Sequence, residues 1–184
     1  MPEVRFATAN ALFETFPMAS DWISVPPTDA PSLDFIRGLV ARGKLEDAVS
    51  FCAYLLGRRE AVWWACRSVR RLTGTIARTD LDPLEAAEAW VKDPEPEYRE
   101  AAQHAATRAD QNSAATWTAL AAAWSGGALV FGRALPIAPP PELTPHAVAV
   151  AIKLASGRLP QEQRTTQLKA CIEDGARLAE SGLS

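Results

Sequence analysis

"LEDAVSFCAYLLGRREAVWWACRSVRR", residues 45–71, decides the fold class. Leu45, Ala48, Val49, Cys52, Leu55 and Leu56 recur at the i, i+3, i+4, i+7 spacing of one buried helical face. Gly57 breaks the pattern, and a second helical pattern follows at once, expected over 58–78. On this second helix, about 100° per residue puts Val62, Ala65, Cys66, Val69, Leu72 and Ile76 on one apolar arc. Arg59, Arg67, Arg70, Arg71 and Arg78 gather on another arc, with Trp63 inside it and Trp64 at its far edge, next to Arg71. Adjacent side chains on a helix point about 100° apart, so one core cannot take both indoles. Something other than the local core covers this helix, or part of it faces a partner.

Three readings of the arginine-tryptophan stripe compete. In the first, a neighbouring helix covers it; the acid-rich segment 80–100 could pair the arginines while the rings stack on guanidinium groups. In the second, the stripe binds a protein, since Trp and Arg anchor interfaces more often than other residue types. In the third, Arg meets phosphate and Trp stacks on bases. A net charge of −3 and the lack of any nucleic-acid module weigh against the third. Trp64 itself is expected to be covered within the fold, and the edge formed by Arg67, Arg71 and Arg78 to face a partner.

Working outward, nearly every segment carries helix signals. Residues 8–16 form a short helix ended by Pro17, and "SVPPTDAP" (24–31) reads as a linker. Asp29 or Ser32 caps a helix running to Arg42, with Gly43 as its stop. "DPLE" (82–85) offers an Asp cap, Pro at the first helical position and Glu at the third; that helix runs to Lys92. Asp93 caps the next, ending near Asp110, and a short helix follows over 113–125 with Trp117, Leu120, Ala121 and Trp124 on one face. Residues 134–143 are a proline-rich strap that suits neither helix nor central strand. Thr144 and Pro145 open a helix stopped by Gly157, and the last begins near Pro160, its face formed by Leu168, Cys171, Ile172, Gly175, Leu178 and Ala179. β-branched runs of period two are absent. The expectation is all-α: a single domain over 1–184 of seven to eight helices packed as antiparallel hairpins, with 1–28 a short helix and an extended segment. "AYLLGRREAVWWAC" from Ala53 sets loosely over "AWVKDPEPEYREAA" from Ala89, so stacked repeats and unrelated antiparallel helices are both open.

The bulk numbers narrow the function classes. A chain of 184 residues, 48% apolar, buries a sizeable core and is not disordered. No stretch approaches the roughly 20 apolar residues that span a bilayer, and the N-terminal stretch is neither signal peptide nor anchor. Cys52, Cys66 and Cys171 are an odd, widely spaced set, read as free thiols in a reducing compartment, hence a cytoplasmic protein. Cys66 falls on the apolar arc and reads as a buried small hydrophobe rather than a nucleophile. His104 and His146 are not spaced as a metal pair and read as surface or capping residues. "SGG" (125–127) follows a helix and lacks the glycines and lysine of a phosphate loop. No catalytic residue, cofactor or metal is assigned.

"LLGRREAVWWAC", with "AWV", "AAAWSGG" and the proline strap followed by "LTPHAV", resembles an uncharacterised family of bacterial proteins of unknown function over residues 5–180. RREAVWWAC is the most specific element. The family pattern is expected to hold proline where Gly57 stands; either residue breaks the helix. The resemblance implies no activity and transfers no site residue. It implies genes near those of type VI secretion in Gram-negative bacteria, and so an accessory role as an adaptor, chaperone or component binding a secretion protein. The expected function is non-enzymatic protein interaction through Arg59, Trp63, Trp64, Arg67, Arg70, Arg71 and Arg78. The alternative is a small-molecule-binding or catalytic helical protein, which would show a deep closed pocket with convergent polar groups.

Overall fold

Leu45–Leu55 and Arg58–Thr73 form helices α3 and α4, with extended backbone at Leu56 (ψ 152°) and Gly57 (ψ 162°) turning the chain between them. A computed structural model of the protein describes residues 4–129 and 135–183. The remaining helices are α1 (Ala9–Thr15), α2 (Ser32–Ala41), α5 (Arg78–Lys92), α6 (Pro96–Arg108), α7 (Ala114–Ala123), α8 (Leu143–Gly157) and α9 (Gln161–Ser181), with a 3₁₀ turn at Pro17–Asp21. The described residues are all-helical apart from two isolated bridges, Thr8–Pro31 and Leu129–Ile137. The described residues hold nine helices, more than the seven to eight expected from sequence.

Several element ends differ from their sequence signals for local reasons. The helix expected to reach residue 78 stops at Thr73, because Gly74 takes φ +64°, a conformation that favours glycine. Arg78 therefore opens α5 and is not on the helix that carries the stripe. α5 starts four residues before the Asp82 cap signal, taking Pro83 inside the helix and burying it beside Leu84 and Ala87. One missing N–H donor is the local cost, set against burial of that apolar face. α6 starts at Pro96, not at Asp93, since Asp93 (ψ 96°) and Glu95 (ψ 157°) each precede a proline and are held extended. Neither Asp29 nor Ser32 caps α2. Asp29 accepts from Asn10, and the Ser32 hydroxyl donates to the Phe6 carbonyl at 2.7 Å. The 24–31 segment is not a free linker: the Ala9 and Asn10 amides donate to the Ala30 and Thr28 carbonyls.

α7 is the inner element. Its alanines and Thr116 and Thr118 are buried around nearly its whole girth, and it packs against α4, α5, α6 and α8. Small side chains allow that crowding; Trp117 and Trp124, on the side read as one face, remain partly exposed. α8 lies on α7, α4 and α3, and α9 crosses α3, α4 and α2. Phe13 of α1 and Phe16 just after it pack on α3 through aromatic pairs: Phe16 meets Tyr54 (5.3 Å between ring centres), and Phe13 meets Phe51 (6.4 Å). The loose internal repeat has unequal packing, since α5 runs along α6 while α3 and α4 touch only slightly. Ala134, the first strap residue, lies outside the described residues; 135–140 is irregular, with Leu129 and Ile137 exchanging backbone hydrogen bonds at 2.7 and 3.0 Å. No helix among the described residues is long and apolar enough to cross a membrane.

Candidate interaction surface

Trp64 is 2% exposed, and its cover comes from α9 rather than from the acid-rich 80–100 segment. Its indole N–H donates to the Cys171 carbonyl at 2.8 Å. The ring lies against Gly175, where an added Cβ would sit 2.8 Å from Cε2 and 3.0 Å from Cζ2. With α8 and α5 also against α4, the exposed residues of this helix are Arg58, Arg59, Arg67, Arg70 and Arg71, with Trp63 half-buried among them.

The fold uses several of these arginines itself. Arg59 donates to the Val91 carbonyl at 2.7 Å and more weakly to that of Lys92, tying α4 to the end of α5. Cations are favoured there, because the last carbonyls of a helix lack partners. Arg70 makes a two-point pair with Glu88 of α5 at 2.5 and 2.8 Å. Arg71 meets Asp174 of α9 at 3.0 Å, and Asp174 is also bonded by Arg177. The acid-rich segment thus pairs one arginine of the stripe, through Glu88, and α9 pairs another. Arg71 and Arg78, expected at a partner-facing edge, are an internal pair and an α5 residue respectively.

Arg67 is left facing outward, and Trp63 is half-buried, packing partly on the core while one side reaches the surface. The Arg67 guanidinium lies over the Trp63 ring at 5.9 Å and makes no ion pair among the described residues. The two form a ridge between two depressions. One, of about 720 Å³, is lined by Arg59, Arg70, Glu88, Val91, Lys92 and Leu183; the other, of about 390 Å³, by Asp174, Arg177, Leu178 and the residues after α9. The larger is cationic: Arg59, Arg67, Arg70 and Lys92 against Glu88 alone. Trp63 and Val91 give it an apolar wall.

The thiols do not join this surface. Cys52, Cys66 and Cys171 are free and buried. Burial pushes the Cys52 thiol up to about 12 and raises Cys66 and Cys171 as well, so thiolate is scarce at neutral pH. His104 is exposed on α6. Among the described residues no three His, Cys, Asp or Glu side chains converge as a metal set. A further depression, of about 200 Å³, is lined by residues that include Val69, Leu72, Ile76 and Leu159 with Asp80 and Arg158.

The sequence reading missed a second grouping. Trp22 lies against His146 with ring centres 4.2 Å apart and the rings tilted by 49°, His146 meets Trp117 edge-on at 6.3 Å, and Trp117 meets Trp124 at 6.3 Å. The Trp117–Trp124 spacing was visible within α7. The partners from the 3₁₀ turn and α8 are far away in sequence and carried no signal.

No curated protein and no solved structure matches the chain. The family of unknown function DUF6931 matches residues 35–179, from within α2 to near the end of α9, and so takes in the whole of α4 and its cover. The chain belongs to the DUF6931 family.

Proposed function

We propose that this protein is a non-enzymatic interaction component, and that its partner lays an acidic protein segment along the Trp63–Arg67 groove. The observation that carries this reading is the pair itself. Trp63 and Arg67 serve no internal contact as strong as those of Trp64, Arg70 and Arg71, yet they stand in a groove of about 720 Å³ with four cations and one carboxylate. A desolvated Arg beside an indole is the kind of anchor that dominates interfaces, and the charge imbalance selects carboxylates. The resemblance carried by RREAVWWAC supports a partner from a type VI secretion system, with this protein acting as adaptor or chaperone in the cytoplasm. Three free, buried thiols are compatible with that reducing setting.

The test uses Trp63→Ala and Arg67→Glu, with Arg71→Glu set aside because it also breaks the Asp174 pair. The tagged protein is used to recover partners from the native host, and each partner is then titrated as a purified protein. Arg67→Glu should melt like the wild type, Trp63→Ala should lose some stability because its ring packs partly on the core, and in both the affinity for the partner should fall at least about tenfold. A partner bound equally well by wild type and by Arg67→Glu would overturn the reading.

A further inference from the structure

A largely exposed tryptophan on a soluble fold calls for a reason. Trp22, just after the 3₁₀ turn, is 46% exposed and lies against His146 of α8 at 4.2 Å. Trp117 and Trp124 of α7 continue the row, each edge-on to its neighbour at 82° and 84°. The Trp117 ring is held in place, its N–H donating to the Gln111 carbonyl at 3.0 Å.

Two carboxylates stand beside this row. Asp21 directly precedes Trp22. Glu142 immediately precedes α8, one turn before His146, whose amide donates to the Glu142 carbonyl at 3.0 Å. Both charges reach the same group, the Tyr54 hydroxyl. That residue is 1% exposed, and its hydroxyl has no hydrogen-bond partner in the protein. Burial first, then Glu142 and Asp21, push it up to about 12. Neither carboxylate is ion-paired among the described residues. The nearest cation along this face of α8, Lys153, is engaged elsewhere: it donates to the Ser50 hydroxyl at 2.8 Å and sits in the field of Glu46 and Asp47. Burial and Lys153 hold the His146 imidazole below its usual range, so at neutral pH it offers a ring and not a competing charge.

We propose that the row Trp22–His146–Trp117–Trp124, with Asp21 and Glu142 at its edge, is a second binding site that takes the guanidinium of an arginine-bearing segment of a protein partner. Indole faces attract cations, and two carboxylates outside any ion pair among the described residues add to that attraction. A guanidinium suits the arrangement better than an ammonium. It is planar, so it stacks on an indole while its N–H groups donate in plane to carboxylates. Phosphate-bearing ligands are repelled by the same two carboxylates. The site is independent of the Trp63–Arg67 groove, since the two share no residue.

The probe is the peptide acetyl-Gly-Arg-Gly-Arg-Gly-amide, compared with the same peptide carrying citrulline, a neutral near-isostere, in place of arginine. Binding is followed by the indole N–H signals of the full-length protein in ¹⁵N-resolved spectra. The Trp22 and Trp117 signals should move with the arginine peptide, and affinity for the citrulline peptide should be about tenfold lower. Asp21→Asn with Glu142→Gln, which keep shape and remove charge, should bring the arginine peptide down to the citrulline level. Trp63→Ala should change nothing, which separates this site from the groove. Equal affinity for the two peptides, motionless Trp22 and Trp117 signals, or full affinity in Trp22→Ala would each overturn the proposal.

Discussion

At the scale of single residues, the pairing of Trp64 with Gly175 explains a glycine in the middle of a 21-residue helix. Glycine there costs about 1 kcal/mol against alanine in helix propensity, so replacement should stabilise an isolated α9. In the protein the new methyl would meet the indole at 2.8 Å, and overpacking of that kind costs about 1–3 kcal/mol. Gly175→Ala should therefore lower stability, and Trp64→Ala should lower it by about 3–5 kcal/mol. Combined, the two should be less damaging than their sum, because alanine at 175 then fills space left by the ring. Urea unfolding of the two single variants and the double variant measures this coupling; strict additivity would show that the contact carries none of the cost. The sequence displayed half of this arrangement. Two adjacent tryptophans require two covers, and Gly175 falls on the apolar face of the last helix. That the second cover is α9 was not legible, because the Trp64–Cys171 bond closes a separation of 107 residues and no local rule joins them. Arg67 was legible as part of an arginine edge, but its partnership with Trp63 was not, since the wheel set Arg67 and Arg71 beside Trp64. Arg70 and Arg71 were not separable from Arg67 on the wheel, since the carboxylates that claim them, Glu88 and Asp174, sit on other helices.

At the scale of elements, periodicity located the helices and prolines displaced their ends. Apolar spacing reports burial on one face, which local backbone chemistry barely changes; that is why α3 and α9 lie where the pattern puts them, while α4 starts where expected and is cut short by Gly74. A start signal such as "DPLE" weighs only a cap, and at α5 the burial of Pro83, Leu84 and Ala87 outweighs it. The break between α3 and α4 is a case where local chemistry rules. Gly57 has φ −64°, a proline's own angle, and Leu56 before it is already extended at ψ 152°. A Cβ at this position would meet only the flexible Glu60 side chain, which can swing away. Gly57→Pro should therefore stabilise the protein by about 0.4–1 kcal/mol through the unfolded chain. The check is a higher urea midpoint at unchanged slope; a lower midpoint would show that the Gly57 amide or Glu60 has a task the geometry does not reveal. This also accounts for the proline that the family resemblance leads one to expect at this position.

At the scale of the whole molecule, one question is whether the part before the family match is an appendage or belongs to the same folding unit. The match begins at residue 35, inside α2. Yet Leu12, Phe13 and Phe16 of the N-terminal part are buried in the same contiguous core as Phe35, Phe51 and Tyr54. Phe16 is 3% exposed and packs on both Phe6 and Tyr54, while the Ser32 amide and hydroxyl tie α2 to Ala7 and Phe6. A core continuous in this way has no internal surface along which the N-terminal part could separate without exposing aromatic rings. The chain should then unfold in one cooperative step, with far-ultraviolet circular dichroism and tryptophan fluorescence giving the same midpoint. Phe16→Ala is the decisive variant, because it acts in the part that the family match leaves out, while most of the six tryptophans report on the rest. If the core is one unit, the substitution costs about 3–5 kcal/mol, and the fluorescence transition shifts with the dichroism. If α1 is an appendage, a small early loss of helix signal appears and the fluorescence midpoint stays where it was.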